Sequence, residues 1–174
     1  RDTVRTFLAK EVVPHAAEWD RAGIVPRGLF AAAGAQGLLG TAVPEEHGGG
    51  GAPDFRFNAV LGEEVMRAGV AGPGAGLCLV NDVCLPYLLD LATDEQKARW
   101  LPGIASGALV PAIAMTEPGA GSDLAAITTT ARRDGTDWVV DGAKTFITNG
   151  INADLVITVV KTDPDQRHRG MSLL

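Results

Sequence analysis

The chain has 174 residues, a formal net charge of −6 and an apolar fraction of 46%. That balance argues against a disordered chain and supports one ordinary packed domain or two small ones, while the acidic charge argues against a nucleic-acid partner. No apolar run is read as reaching the ~18 residues needed to span a bilayer, and Arg1-Asp2-Thr3-Val4-Arg5 lacks a signal-peptide core, so the chain reads as soluble and intracellular.

Val4, Leu8 and Val12 recur at one-turn spacing with Phe7 beside them, predicting a helix that Pro14 ends. Pro26 suits the first turn of a second helix carrying Leu29, Phe30 and Ala33. A loop with mobile-looking Gly48 to Gly51 comes next. Phe57, Leu61 and Val65 mark a third helix. Leu77, Val80, Cys84, Leu88 and Leu91 mark a fourth, with a kink expected at Pro86. Thr93 and Gln96 have capping-box spacing and open a short helix running to Trp100, stopped by Pro102. Stripes of this kind build a core rather than a cofactor box.

From Val110 the pattern turns to strands. Thr128 and Thr130 alternate with Ile127 and Ala131, and Asp134-Gly135 and Asp141-Gly142 are turn signals around Trp138-Val139-Val140. Leu155 to Val160 is a buried-type strand that Asp163-Pro164-Asp165 breaks, and Gly170 to Leu174 reads as another. The expected class is therefore multidomain α+β: an all-α domain over 1–109, then an antiparallel β domain over 110–174. Both ends look cut, since Arg1 opens inside a helical pattern and Leu174 stops inside a strand; the chain reads as a fragment.

Several chemistries fall away. Cys78 and Cys84 fit neither a zinc nor a disulfide pattern, and His15, His47 and His168 are scattered. His47-Gly48-Gly49-Gly50 looks like an esterase oxyanion strip but has no G-x-S-x-G partner. Gly72-Pro73-Gly74-Ala75-Gly76 lacks a preceding strand and the third glycine of a dinucleotide loop, and reads as a helix start. Lys144 comes after no G-x-x-x-x-G, so there is no P-loop.

Two segments carry chemistry. In Ala114-Met115-Thr116-Glu117-Pro118-Gly119-Ala120-Gly121-Ser122-Asp123, Gly119 and Gly121 allow a ligand close to the backbone, and Thr116 and Ser122 add hydroxyls that donate and accept. In Asp141-Gly142-Ala143-Lys144-Thr145-Phe146-Ile147-Thr148-Asn149-Gly150, an Asp-Gly turn is expected to feed a short strand. Its aromatic Phe146 and hydroxyl Thr148 then share a face, one for a flat ring and one for the ring's edge.

In this order and spacing the two segments resemble the acyl-CoA dehydrogenase family of flavoproteins. Val43-Pro44-Glu45-Glu46-His47-Gly48-Gly49 is similar to that family's loop in its helical domain, and Ile113 through Gly150 looks closest to its long-chain branch. The resemblance covers the whole chain. It implies a barrel-like middle domain, a C-terminal helical bundle absent here, and non-covalent FAD. It implies loss of an acyl-CoA α-proton to a glutamate and of a β-hydride to the flavin, as in β-oxidation of fatty acids. It further implies electron transfer to an electron-transfer flavoprotein, a homotetramer, no membrane insertion, and a bacterial cytoplasmic or mitochondrial matrix setting.

Residue by residue, the resemblance places Ile113, Ala114, Met115, Thr116, Gly121 and Ser122 along the flavin, with Thr116 on its polar edge and Ser122 also touching the CoA side of the substrate. Phe146, which stands where many members have Trp, Ile147 and Thr148 make the remaining ring contacts, with the Thr148 hydroxyl near N5. The catalytic glutamate is expected beyond residue 174, and Glu117 is read as structural. A flavin hydroxylase or oxidase on the same scaffold, and a non-catalytic flavin- or acyl-CoA-binding protein, are the alternatives.

Overall fold

Two prolines in the helical region sit beside segments wound as π-helix. In the computed structural model, which describes residues 1–174, the first helix passes from α1 (Asp2–Phe7) through a π-helical stretch at Leu8–Val12 and a short 3-10 turn at Val13–His15 into α2 (Ala16–Ala22). Pro14, expected to end it, does not. A proline ring collides with the carbonyl four residues back and cannot donate to it; that residue, Lys10, lies where π winding has already opened the ladder. The same device recurs at Pro86. α5 (Ala71–Leu79) and α6 (Leu85–Leu91) are joined by a π segment at Val80–Cys84 that contains Asp82, four residues before Pro86.

After α3 (Gly28–Ala35) and α4 (Arg56–Arg67), the capping box of Thr93 and Gln96 forms as expected and starts α7 (Asp94–Ala105). α7 runs past Trp100 and carries Pro102 inside it. Pro102 forgoes its own bond, but its carbonyl still accepts from the Ser106 amide at 3.1 Å. The helix stops at Gly107, whose positive φ of 73° turns the chain as its amide bonds back to Ile104.

Residues 1–111 with 151–155 form one unit and residues 112–150 with 156–174 a second. The core of the helical unit is built on Leu8, Phe30, Leu77, Leu85, Leu101 and Ile104. The continuous helix 71–91, 21 residues, is long and apolar enough to cross a membrane by length and composition, contrary to the sequence reading. Its apolar face goes into this core instead, where Leu77, Val80, Cys84, Leu85 and Leu88 are buried. Asn81, also buried, uses its amide to donate to Leu38 O at 2.8 Å and accept from Gly40 N at 3.0 Å. The glycine loop expected to be mobile is stitched back onto this turn, by Gly50 N to Gly40 O, Gly51 N to Val43 O and Ala52 N to Thr41 O.

The second unit holds a sheet in the order β1 (Pro111–Ala114), β4 (Leu155–Lys161), β2 (Thr130–Asp134), β3 (Asp137–Asp141), with β5 (Met171–Leu173) also paired to β4. β2–β3 is an antiparallel hairpin turned at Asp134-Gly135, and β4–β5 is antiparallel. β2 and β4, however, run parallel where Thr130 faces Lys161. The sheet is thus mixed and open, not the antiparallel barrel-like one expected: β4 follows β3 through the long 142–154 segment rather than a hairpin, and so lies parallel beside β2. Ala120, Ile127 and Val159 form its small core with Met115, Leu124 and Met171 packed against them.

Candidate functional site

The site begins with a buried carboxylate. Glu117 lies just after β1 in a tight turn closed by reciprocal bonds with Ala120, Glu117 N to Ala120 O at 2.8 Å and Ala120 N to Glu117 O at 3.2 Å. Its side chain is 3% exposed. One oxygen accepts from the Thr128 amide at 2.6 Å and hydroxyl at 2.8 Å; the other accepts from the Thr129 amide and the Lys144 ammonium, both at 2.9 Å. Burial works against the charge, but the bonds from Thr129 and Thr128 and the Lys144 ammonium outweigh it and hold the carboxyl well below the usual range. Gly142 lets this packing close: a Cβ there would collide with the backbone and side chain of Thr129.

Lys144 joins the two segments singled out in the sequence. Besides Glu117 it donates to the Met115 carbonyl at 3.0 Å, and the next amide, Thr145 N, donates to Thr116 O at 2.9 Å. The structure therefore brings Met115, Thr116 and Glu117 against 144–145. Ile113 and Ala114 are buried in β1, Met115 and Thr116 are half-buried, and Gly121 and Ser122 are exposed at the far end of the turn. A Cβ at Gly119 or Gly121 meets no atom within 4 Å, so no neighbour in the chain demands those glycines.

The strand expected over 143–148 is not there. β3 ends at Asp141, and the chain continues as an extended loop and then a turn. Phe146 and Asn149 have positive φ, 57° and 65°, and Gly150 N bonds back to Ile147 O. The alternation that put Phe146 and Thr148 on one strand face does not apply, because a left-handed residue reverses the side-chain sequence. Phe146 is 90% exposed, Thr148 is exposed and Ile147 half-buried. A bulky residue held at positive φ with its ring in solvent is strained and uncompensated by the chain itself.

Sequence reasoning missed the polar anchors. Arg27 donates to Ala108 O, Asn152 O and the Asp154 carboxylate, and the same Asp154 oxygen accepts from Val110 N at 2.9 Å. Asn152 in turn donates to Val25 O. Partners this far apart in sequence leave no local signal. The cysteines offer no reactive thiol: burial, with Asp82 adding to it, pushes Cys78 up to about 11, and burial pushes Cys84 up to about 12.

With this geometry in hand, comparison with known proteins decides the family. The acyl-CoA dehydrogenase N-terminal domain matches residues 1–108 and the acyl-CoA dehydrogenase middle domain matches residues 112–174. The chain belongs to the acyl-CoA dehydrogenase family. It is 45% identical over 175 aligned residues to the mitochondrial long-chain specific acyl-CoA dehydrogenase of Sus scrofa, covering 99% of this chain and 40% of that protein. Among solved structures, an acyl-CoA dehydrogenase from Geobacillus kaustophilus is 49% identical with a TM-score of 0.91, over 98% of this chain and 44% of that one. A glutaryl-CoA dehydrogenase from Mycobacterium smegmatis, solved in complex with FADH2, is 31% identical with a TM-score of 0.80, over 93% of this chain and 41% of that one. The chain thus spans less than half the length of these acyl-CoA dehydrogenases.

Proposed function

We propose that the full-length protein carrying this chain is an FAD-dependent acyl-CoA dehydrogenase that converts a fatty acyl-CoA to the trans-2-enoyl-CoA and passes electrons to an electron-transfer flavoprotein. The observation that carries the reading is the bond from Thr145 N to Thr116 O. It sets the hydroxyl-bearing segment Ile113–Ser122 beside a loop whose Phe146 ring no other part of the chain covers. Family membership supports the same reading, as does the reduced flavin in the glutaryl-CoA dehydrogenase.

The residues present fit a flavin. An isoalloxazine ring needs a flat apolar contact and donors at its polar edge; Phe146 supplies the first, and the Thr116 and Thr148 hydroxyls supply the second. The open side of Gly119 and Gly121 leaves room for a ligand against Gly121 and Ser122. When bound, FAD supplies the acceptor for the β-hydride while the α-proton goes to a carboxylate base. In this chain Thr116 and Thr148 would hold the ring edge, Ile113, Ala114, Met115 and Ile147 would line it, and Ser122 would serve both the flavin and the CoA side of the substrate. Glu117 is not the base: all its bonds are spent inside the chain, and its proton affinity is too low. We place the base beyond residue 174.

The proposal extends to the whole protein. It comprises a helical domain over 1–109 and a middle domain over 110–174 whose sheet closes toward a barrel only with further strands. It assembles as a homotetramer and works in a bacterial cytoplasm or a mitochondrial matrix. The test is composition. The purified full-length protein is expected to release about one FAD per chain on denaturation, with no flavin left covalently attached. A full-length protein that folds and takes up no FAD at any concentration contradicts the reading.

A further inference from the structure

We infer that Glu117 and Lys144 are positioning residues that fix the spacing between the two halves of the flavin site, a role beyond holding the fold together. The inference rests on the flavin reading above, and deepens it. Lys144 Nζ is shared between the Glu117 carboxylate at 2.9 Å and the Met115 carbonyl at 3.0 Å, so the ammonium is a fixed spacer between residue 144 and the backbone one residue before Thr116. The adjoining Thr145 N to Thr116 O bond makes the contact two-pointed, which restrains rotation as well as distance.

The far end of the spacer is equally fixed. Glu117 is clamped by the Thr128 and Thr129 amides and the Thr128 hydroxyl, and Gly142 packs directly on Thr129. The side chains of Glu117 and Lys144 are 3% and 11% exposed, so water cannot substitute for either partner. Phe146 lies two residues beyond this spacer at a strained φ and without cover, so nothing in its own surroundings sets where its ring goes. Its placement relative to Thr116 is inherited from Lys144. A buried ion pair is often replaceable by apolar residues without loss of stability; a spacer that sets ligand geometry is not.

The test separates these roles in the full-length protein. The paired substitution Glu117→Gln with Lys144→Met removes both buried charges together, so neither is left unpaired. Its FAD dissociation constant is expected to rise more than tenfold and its bound-flavin absorption band to shift, while the melting temperature of the flavin-free protein stays close to wild type. Lys144→Arg keeps the positive charge but lengthens the spacer, and is expected to weaken FAD binding more than about fivefold while its flavin-free protein melts close to wild type; it carries the test if the paired variant does not fold. A folded variant of either kind with unchanged FAD affinity and spectrum overturns the inference and leaves the flavin reading standing. A wild-type protein that binds no FAD overturns both.

Discussion

Arg27 and Asp154 meet at 2.7 Å across 127 residues of sequence, on an aspartate oxygen that also accepts the Val110 amide. One carboxylate thereby ties α3 both to the segment leaving the Phe146 loop and to the entry of β1. The Arg27 guanidinium, then the Val110 amide, holds the Asp154 carboxyl below its ordinary range. The pair is partly solvated, 46% and 40% exposed, so its contribution is modest. We expect Asp154→Asn to cost about 1 kcal/mol, read as a lower urea midpoint at unchanged slope. Because the folded-state value is depressed, that stabilisation is present above about pH 4 and fades as pH falls below it. A difference between wild type and Asp154→Asn that grows toward acid contradicts the assignment.

Glu64 makes a second acid-sensitive anchor. Its buried carboxylate on α4 accepts from Arg5 at 2.7 Å and Arg1 at 2.5 Å, joining α1 to α4. Bonds from Arg5, then Arg1, outweigh burial and hold it down at about 2. The folded value lies below the unfolded one of about 4.3, so stability from this group is complete above that value and is lost as pH drops toward about 2. Glu64→Gln is expected to flatten the acid limb of the stability–pH curve. An unaltered acid limb in the variant removes Glu64 from the account.

Legibility in the sequence tracked the range of the interactions involved. The helices at Leu29–Ala33 and Phe57–Val65, the Thr93–Gln96 cap and the Asp134-Gly135 hairpin are written in periodicities and turn residues a few positions long. Pro14 and Pro102 misled because both are accommodated within continuing helix, Pro14 beside π winding that no residue pattern announces. The strand drawn through Phe146 failed because Phe146 and Asn149 take positive φ, which alternation of residue types does not announce. The parallel Thr130–Lys161 pairing, the Arg27–Asp154 pair and the Lys144 spacer all join distant residues. Their chemistry was visible; their partners were not.

Thr148 is exposed in the turn after Phe146, and we propose that its hydroxyl serves the reactive edge of a flavin. Thr148→Val keeps the shape and removes the hydroxyl. In the full-length protein it is expected to slow flavin reduction by substrate by about tenfold to a hundredfold, within the few kcal/mol of one oriented donor, while leaving the melting temperature unchanged. Stopped-flow reduction at wild-type rate refutes this role.

Ser122 sits exposed at the end of the Glu117 turn. A single neutral hydrogen bond contributes roughly 0.5–1.5 kcal/mol, so Ser122→Ala is expected to weaken acyl-CoA binding by at most about tenfold and to leave FAD content intact. Purification of the variant without flavin reassigns Ser122 to the cofactor alone.

We propose that this fold positions a flavin to take a hydride from an acyl-CoA. Anaerobic titration of the full-length, FAD-loaded protein with acyl-CoA esters of several chain lengths tests it most directly, by monitoring the visible flavin absorption. The oxidised band is expected to bleach with at least one ester, and enoyl-CoA to form in matching amount. Tight acyl-CoA binding with the flavin band unbleached at every chain length contradicts it.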